Sequence, residues 1–328
     1  MVLENGKIID LMSYKITQIA GDASFRKFYR INSKNDQKIL VFAEKEKYKN
    51  LVAYAAINKF LRSNKFNAPK LYFYNPLKGV IIIEDFGDIS YHKLLTKSKN
   101  KFLIYKKLVD LLLKIQKINP KSKIKNSDNK FHFINKYTNK YLFKESNLFF
   151  DWYLPIFLSK KKALNIKKKA NTILRKLYKN LNFPNSCFVH RDYHVQNLMK
   201  FGNKIGIIDS QDALIGNPAY DLVSLIDDVR IKTSKIDKDK IYNYYLRKVD
   251  KKKHKDFLED FNTLSVQRSL KIIGIFSRLC IRDKKKKYLK FIPYTWNLLE
   301  MRMNSNNFLE LKKIFDKNIP KKIRKKYL

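Results

Sequence analysis

The sequence predicts an α+β protein with two lobes, a small antiparallel sheet followed by a larger, mostly helical part. Short β-type segments around a single helix occupy the region before residue 89. Beyond residue 100, apolar residues recur at the three- and four-residue spacing of amphipathic helices. Between these regions the acidic segment Glu84–Asp88, which also contains a glycine, interrupts an apolar run. We therefore predict an N-lobe over residues 1–88 and a C-lobe over residues 89–328.

Three strands, one helix and two more strands account for the N-lobe. Turn-forming residues separate the strands, which are rich in β-branched and aromatic side chains. The predicted strands are Tyr14–Ile19, Phe25–Ile31, Lys38–Ala43, Leu71–Tyr74 and Val80–Ile83. In the helix, one face of the helical period carries Ala53, Ala56, Ile57, Phe60 and Leu61.

The C-lobe begins with a second helix and contains two short strands in its middle. The helical stripe consists of Ile104, Leu108, Leu111, Leu112 and Ile115. A polar loop is predicted over Asn119–Lys130, and strands are predicted over Cys187–Val189 and Ile205–Ile208. The segment Phe261–Cys280 is apolar on nearly all sides, which predicts a buried helix.

Composition excludes several classes of protein. With 45% hydrophobic residues the chain of 328 residues is too apolar to be disordered. No run of about 18 apolar residues suggests a membrane span. Cys187 and Cys280 are too few to staple a chain of this size, and the first residues lack the pattern of a secretory signal. We expect a cytoplasmic protein.

The net charge of +42, from 71 Lys and Arg against 29 Asp and Glu, has three interpretations. A nucleic-acid binder is one. Drift of Lys onto exposed positions is another, because Lys far outnumbers Arg and occurs in scattered runs, whereas Arg is the residue suited to bidentate phosphate contacts. An anionic small-molecule substrate is the third.

The segment His190–Asn197 and the following Asp209 have the residue types and the spacing that phosphoryl transfer requires. Asp192 precedes Asn197 by five positions in a polar loop between apolar strands, and Asp209 ends the next strand. One carboxylate accepts the proton of the attacking hydroxyl, while amide and carboxylate oxygens suit Mg²⁺ on the nucleotide phosphates. We predict Asp192 as the base and Asn197 and Asp209 as the metal ligands.

These motifs resemble the aminoglycoside phosphotransferase family, a branch of the protein-kinase-like fold. Within it, the sequence is most similar to bacterial kinases that phosphorylate N-acetylmuramate and N-acetylglucosamine on the anomeric hydroxyl. The resemblance rests on segments spread over nearly the whole chain: Gly21–Arg26, Ile83–Gly87, Asp151–Leu154, Val189–His194, Asp209–Ala213, Tyr220–Leu225, Gln267–Arg268 and Ile273–Leu279.

The resemblance implies ATP and Mg²⁺ as cofactors and a role for further residues. Ser24 and Arg26 would lie near the ATP phosphates, and the backbone of Glu84, Asp85 and Phe86 would face the adenine. His190 and Asp221 would support the catalytic loop, Asp221 also by capping the helix that follows it. Arg191, Asp212, Trp152 and Arg268 are candidate contacts to the acceptor.

Two departures from the kinase pattern stand out. Protein kinases hold the phosphates with a Lys on the third strand, paired with a helix Glu, whereas this chain has Phe42 near that place. Arg26, Arg30 or Lys45 could supply the missing charge. The residue after the metal-binding Asp, usually Phe in the resembling subgroup, is Ser210, so the packing behind Asp209 is expected to differ.

The predicted function is ATP-dependent phosphorylation of the anomeric hydroxyl of an N-acetylated sugar in cell-wall sugar recycling. One alternative is phosphorylation of an aminoglycoside or another small-molecule hydroxyl, although cationic substrates favour an acidic cleft. The other is a basic pseudokinase or nucleic-acid-binding protein. We expect a monomer that needs a nucleotide and a sugar, but no membrane and no obligatory nucleic acid.

Overall fold

The computed structural model of the protein describes residues 2–4, 7–9, 15–19, 26–34, 36–43, 49–126 and 131–325. Ser24 and Lys45, two of the residues considered above, lie outside this description. The strands are β1 (Val2–Glu4), β2 (Lys7–Ile9), β3 (Lys15–Ile19), β4 (Lys27–Asn32), β5 (Gln37–Phe42), β6 (Leu71–Asn75), β7 (Val80–Glu84), β8 (Lys123–Lys125), β9 (Phe131–Phe133), β10 (Cys187–Val189), β11 (Leu198–Phe201), β12 (Lys204–Ile207) and β13 (Leu214–Gly216).

The structure describes twelve α-helices, and all of them except the first follow residue 90. They are α1 (Lys49–Ser63), α2 (Tyr91–Lys97), α3 (Lys101–Gln116), α4 (Asn139–Leu148), α5 (Leu154–Phe157), α6 (Lys160–Lys179), α7 (Ala219–Ile226), α8 (Lys235–Leu246), α9 (His254–Ile281), α10 (Ile292–Arg302), α11 (Leu309–Asn318) and α12 (Lys321–Arg324). None of the helices described is long and apolar enough to cross a membrane. The predicted fold class, an antiparallel sheet followed by a mostly helical part, is confirmed.

The N-terminal sheet has five strands in the order β3-β4-β5-β7-β6, and each neighbouring pair is antiparallel. Alternate residues of β5 and β7, Ile39, Val41, Ile81 and Ile83, form a core cluster with residues of α1. The predicted apolar face of α1 is buried. The pattern of alternation therefore fixes which side of the sheet the helix covers.

The chain divides into two compact units, and neither is continuous in sequence. The first comprises residues 1–98, 118–135 and 190–214, and the second comprises residues 99–117, 136–189 and 215–328. The first unit thus contains the sheet, the loop with Asp192, and the hairpin that ends before Asp209. The predicted division into two continuous lobes, residues 1–88 and residues 89–328, remains a prediction.

The second unit is built around α9, which confirms and extends the predicted buried helix. Most of its residues are buried, and of the apolar residues in the predicted segment only Ile275 and Cys280 are partly exposed. Gly274 lets the backbone of the α4 region approach closely, since a Cβ at this position would lie 2.3 Å from the carbonyl carbon of Leu148. The aromatic stretch Phe149–Tyr153 continues α4 as one turn of π-helix.

A buried ion network stabilises the second unit around Asp227. Its carboxylate accepts hydrogen bonds from Arg302 at 2.9 and 3.0 Å, from Lys238 at 3.0 Å and from Ser265 at 2.7 Å. Burial alone would raise the pKa of Asp227, but the two cations and their hydrogen bonds outweigh it and hold the pKa well below its usual range.

One element contradicts the sequence prediction. The segment expected to be a polar loop, Asn119–Lys130, contains β8, which pairs antiparallel with β9. Only the middle residue of β8, Ile124, is buried. A three-residue strand with Lys on both sides of one apolar residue gives no periodic signal, so the prediction was wrong there.

Candidate active site

A short hairpin aligns the two parts of the predicted catalytic motif. Strands β11 and β12 pair with Leu198 opposite Ile207. The ladder continues beyond the strands, because the Ile208 N–H donates to the Asn197 carbonyl at 3.0 Å. Asp209 follows Ile208 directly. The apolar pairing of the hairpin therefore brings Asn197 and Asp209, twelve positions apart in sequence, to neighbouring backbone positions.

Hydrogen bonds orient the Asn197 side chain within the loop. Its Nδ2 donates to the Asp192 carbonyl at 3.0 Å and lies 3.4 Å from His194 Nε2. An amide nitrogen only donates, so the imidazole nitrogen accepts. Both amide hydrogens are thereby directed toward the loop, which leaves the amide oxygen, Oδ1, as the group suited to a hard cation.

Two donors likewise orient the carboxylate of Asp209. Its Oδ1 accepts from Arg26 Nη2 at 2.8 Å and from Gln211 Nε2 at 3.0 Å. Within the described part of the chain, no hydrogen bond is formed by the other oxygen, Oδ2. Mg²⁺ is usually held by one or two protein oxygens together with phosphate oxygens and water. Asn197 Oδ1 and Asp209 Oδ2 fit that requirement, although no three His, Cys, Asp or Glu side chains of the described residues form a metal cluster.

Backbone strain is concentrated at the same two segments. Four non-glycine residues of the described chain have a positive φ, and two of them are Arg191 (72°) and Asp209 (63°). The left-handed region costs a non-glycine residue about 1–2 kcal/mol. Arg191 also donates to the Asp212 carbonyl at 3.0 Å. This bond links the segment before Asp192 to the segment after Asp209.

His190 contacts the segment before Asp209 and stays a predicted support of the loop. Its ring Nε2 lies 3.0 Å from the carbonyl oxygen of Ile208, and its side chain is buried. Because the backbone of residue 208 is bonded to both His190 and Asn197, the position of Asp209 depends on the loop as a whole.

A buried polar pair connects the Asp209 segment to helix α1. Ser210 is fully buried, and its hydroxyl donates to Asn58 Oδ1 at 2.9 Å. Asn58 in turn hydrogen-bonds Tyr54 one helical turn earlier, while burial raises the pKa of Tyr54 to about 12. The altered packing expected from Ser210 is thus a hydrogen bond to the helix that covers the sheet.

The predicted adenine segment is held by its side chains. Glu84 Oε2 accepts from the Lys70 N–H at 3.0 Å and from Arg62 at 3.3 Å. Asp85 accepts from Arg30 and from the Gly87 N–H. Both carboxylates are therefore engaged within the first unit, as is the Glu84 N–H, which donates to the Lys70 carbonyl at 2.9 Å.

The ring of Phe86 packs into the hairpin that carries the catalytic residues. Its centroid lies 4.6 Å from that of Phe201. A Cβ at Gly206 would approach the Phe86 ring to 2.5 Å, so a glycine is needed there. The adenine segment and the β11–β12 hairpin are consequently in direct contact.

The remaining predicted residues belong to the second unit. Trp152 is half-buried in the π-helical turn, and Arg268 is buried in α9 with its guanidinium 5.7 Å from the ring centre of Tyr220. Asp221 lies in the first turn of α7, but the prediction that it caps this helix was wrong. The N-cap residue is Pro218, and Asn217 Oδ1 accepts from the Ala219 N–H at 2.9 Å.

Sequence reasoning missed Gln211, Asn58 and Tyr54. Gln211 lies within a motif that the sequence analysis quoted, so its proximity to Asp209 was available from the sequence. Asn58 and Tyr54 follow from no local pattern. They lie in α1, more than a hundred residues before their partner segment.

Comparisons with known proteins identify the family of the chain. The model of the phosphotransferase enzyme family (APH) matches residues 15–251. The chain is 28% identical over 278 residues to N-acetylmuramate/N-acetylglucosamine kinase of Caulobacter vibrioides, covering 83% of this chain and 76% of that protein. It is 25% identical over 315 residues to the kinase of the same name from Neisseria meningitidis, covering 92% and 89%.

Solved structures support the fold. The ADP-bound crystal structure of the aminoglycoside phosphotransferase APH(2'')-Ib superposes with a TM-score of 0.60 at 15% identity, covering 90% of this chain and 94% of that one. This likeness extends to the sheet and the helical part together. Because the family model also spans most of the sequence and contains the whole catalytic motif, the chain belongs to the phosphotransferase enzyme family.

Proposed function

We propose that this protein is an ATP-dependent kinase of the anomeric C1 hydroxyl of N-acetylmuramate or N-acetylglucosamine. The observation that carries the proposal is the hydrogen-bonded arrangement of Asp192, Asn197 and Asp209 on one loop and hairpin. This arrangement would provide a base and two hard oxygen ligands on one loop and hairpin. The names of the relatives from C. vibrioides and N. meningitidis support this choice of sugars.

In the proposed reaction the Asp192 carboxylate accepts the proton of the sugar hydroxyl. The hydroxyl oxygen bonds to the γ-phosphorus of ATP as the bond to the β–γ bridging oxygen breaks, and the products are the sugar 1-phosphate and ADP. An anomeric hydroxyl is more acidic than an ordinary alcohol, so Asp192 needs little basicity. The loop bonds to the Asp192 carbonyl hold the base in position, and positioning supplies most of the rate gain.

Asn197 and Asp209 are the residues that would hold Mg²⁺. When bound, the ion neutralises charge on the nucleotide phosphates. The backbone of Glu84–Phe86 would receive the adenine, because the two acidic side chains there are engaged with other residues. Ser24 stays a sequence prediction for the phosphates.

The charge of the protein favours an anionic acceptor. A net charge of +42 attracts the carboxylate of N-acetylmuramate and repels a polycationic aminoglycoside. We propose Arg191, Asp212, Trp152 and Arg268 as acceptor contacts. We also propose that the enzyme is a cytoplasmic monomer that requires neither nucleic acid nor membrane. Both cysteines are unpaired, which agrees with a reducing compartment.

The test is a panel of acceptors incubated with ATP and Mg²⁺ and followed by ³¹P NMR. The panel contains both N-acetylated sugars, glucosamine, choline and an aminoglycoside. We expect a sugar 1-phosphate from one or both N-acetylated sugars. Phosphorylation of the aminoglycoside alone would reject the proposed acceptor, and absence of any phosphorylated product would favour the pseudokinase.

Asp192→Asn tests the base. Loss of a general base lowers kcat by about 10²–10⁴-fold, whereas ADP binding should be unchanged. The matched control is Asp239→Asn, which removes the same charge from an exposed position of α8 and should leave kcat unchanged. If Asp192→Asn turns over normally, the assignment of the base is wrong.

A further inference from the structure

In the described part of the chain, neither β5 nor α1 supplies its half of the ion pair with which protein kinases hold the nucleotide phosphates. The only basic residue of β5 is Lys38, and it is committed elsewhere: its Nζ lies 2.7 Å from Asp36 and 4.5 Å from the ring centre of Tyr72. Helix α1 contains no acidic residue. If the proposed nucleotide binding is correct, the phosphates are held by a cation outside β5, and that cation is paired with an acid outside α1.

Arg30, one of the candidates for that cation, is fully engaged with the adenine segment. Its Nε and Nη2 donate to Asp85 at 2.5 and 3.2 Å, and its Nη1 and Nη2 donate to Asp88 at 2.9 Å each. Bonds to Asp88 and Asp85 raise the pKa of Arg30 further above its usual range. Arg30 therefore fixes the segment beside the adenine and does not serve the phosphates.

Arg26 is placed differently. It immediately precedes β4, its side chain is only 7% exposed, and its Nη2 lies 2.8 Å from Asp209 Oδ1. A buried guanidinium requires an anionic partner. Here that partner is the predicted metal-binding carboxylate itself, where a kinase uses a helix Glu. The side chain of Asp209 therefore contacts Arg26 and also belongs to the predicted metal site.

We propose that Arg26 is the phosphate-binding cation of this enzyme, and that Asp209 serves as its counter-ion until nucleotide binds. The planar guanidinium has five donors, so it can bond one carboxylate oxygen and phosphate oxygens together. Arg26 and Gln211 both bond Oδ1 of Asp209, so Oδ2 is the oxygen that would hold a metal. Arg26 therefore has two opposed effects: it attracts phosphate, and it weakens the pull of Asp209 on a divalent ion.

This opposition separates the proposal from a structural role. Arg26→Gln should weaken binding of ADP in EDTA by about 10- to 100-fold, the contribution of a charge-assisted hydrogen bond. The same variant should tighten binding of Mn²⁺ without nucleotide by about 10-fold, because the competing cation beside Asp209 is gone. Adenosine, which has no phosphate, should bind as it does to the wild type.

The measurements are isothermal titration calorimetry for ADP and adenosine and electron paramagnetic resonance for free Mn²⁺. The control is Lys27→Gln, which removes one positive charge from the exposed next residue and should change none of the three affinities. Arg26→Lys, which keeps the charge but not the planar fork, should recover part of the ADP affinity.

Two results would overturn the proposal: equal loss of ADP and adenosine binding, or unchanged ADP binding in Arg26→Gln. Circular dichroism shows whether each variant is folded. If Arg26→Gln does not fold, the ADP affinity of Arg26→Lys tests the proposal instead. None of these ligands is a sugar. A negative acceptor panel together with the expected ADP and Mn²⁺ changes would reject the proposed acceptor and leave the role of Arg26 standing.

Discussion

The buried hydrogen bond between Ser210 and Asn58 should couple helix α1 to the segment around Asp209, the predicted metal ligand. Ser210 is fully buried and Asn58 is 2% exposed, and their side chains meet at 2.9 Å. In Ser210→Ala the Asn58 carbonyl oxygen loses its donor in a place that water does not reach. Such a loss costs about 1–3 kcal/mol. We expect a destabilisation of about 2 kcal/mol and a fall in Tm of roughly 4 °C.

A double-mutant cycle isolates this bond from other effects. Asn58→Ala removes the bond to Ser210 and also the one to Tyr54, so it should cost more than Ser210→Ala. The combined variant should be more stable than the sum of the single losses predicts, by about 1 kcal/mol. Thermal unfolding of the four proteins gives the coupling energy. Additive losses within about 0.3 kcal/mol would refute the coupling.

Three further predictions concern packing and charge. Gly274→Ala should gain about 1 kcal/mol of helix propensity but lose about 3 kcal/mol to overpacking against the backbone at Leu148, so urea unfolding should show a net loss near 2 kcal/mol. Gly206→Ala should weaken adenosine binding in calorimetry by displacing the Phe86 ring, and adding Phe86→Leu should restore part of it. Asp227→Asn should cost about 3–5 kcal/mol, because two buried cations lose their counter-ion.

The same carboxylate sets a direction for the pH dependence of stability. The folded-state pKa of Asp227 lies below its unfolded value. Its contribution is therefore present above about pH 4 and is lost as the pH falls through the folded pKa. Acid titration of Tm should show a smaller decrease below pH 4 in Asp227→Asn than in the wild type. An identical decrease in both proteins would contradict the role of this ion network.

Much of the fold was predictable, because burial leaves a periodic mark on sequence. The apolar face of α1 repeats in step with the face it buries, and the apolar runs of β5 and β7 mark the buried inner strands of the sheet. Segments without such a mark were missed, as with β8, where a single apolar residue between two lysines is buried. Its strand geometry comes from pairing with β9, and such pairing leaves no pattern in the sequence of β8 itself.

Candidate site residues could be proposed from the sequence where phosphoryl transfer requires a fixed spacing. Asp192, Asn197 and Asp209 follow from the demands of phosphoryl transfer, and the hairpin brings the latter two together. The supporting residues do not follow, because their contacts span long stretches of sequence. Arg26 is 183 residues from Asp209, and nothing near either residue selects Arg26 over Arg30 as its partner.

The interleaving of the two units has a consequence for how the protein is made. The chain passes from one unit to the other after residues 98, 117, 135, 189 and 214. The sheet leaves the ribosome long before the hairpin that completes its unit, and at about 5–20 residues per second the interval is on the order of ten seconds. During that time the nascent sheet lacks Asp209, the counter-ion of Arg26. No cut at a single point in the gene would give the first unit alone, because residues 99–117 and 136–189 of the second unit lie between its segments.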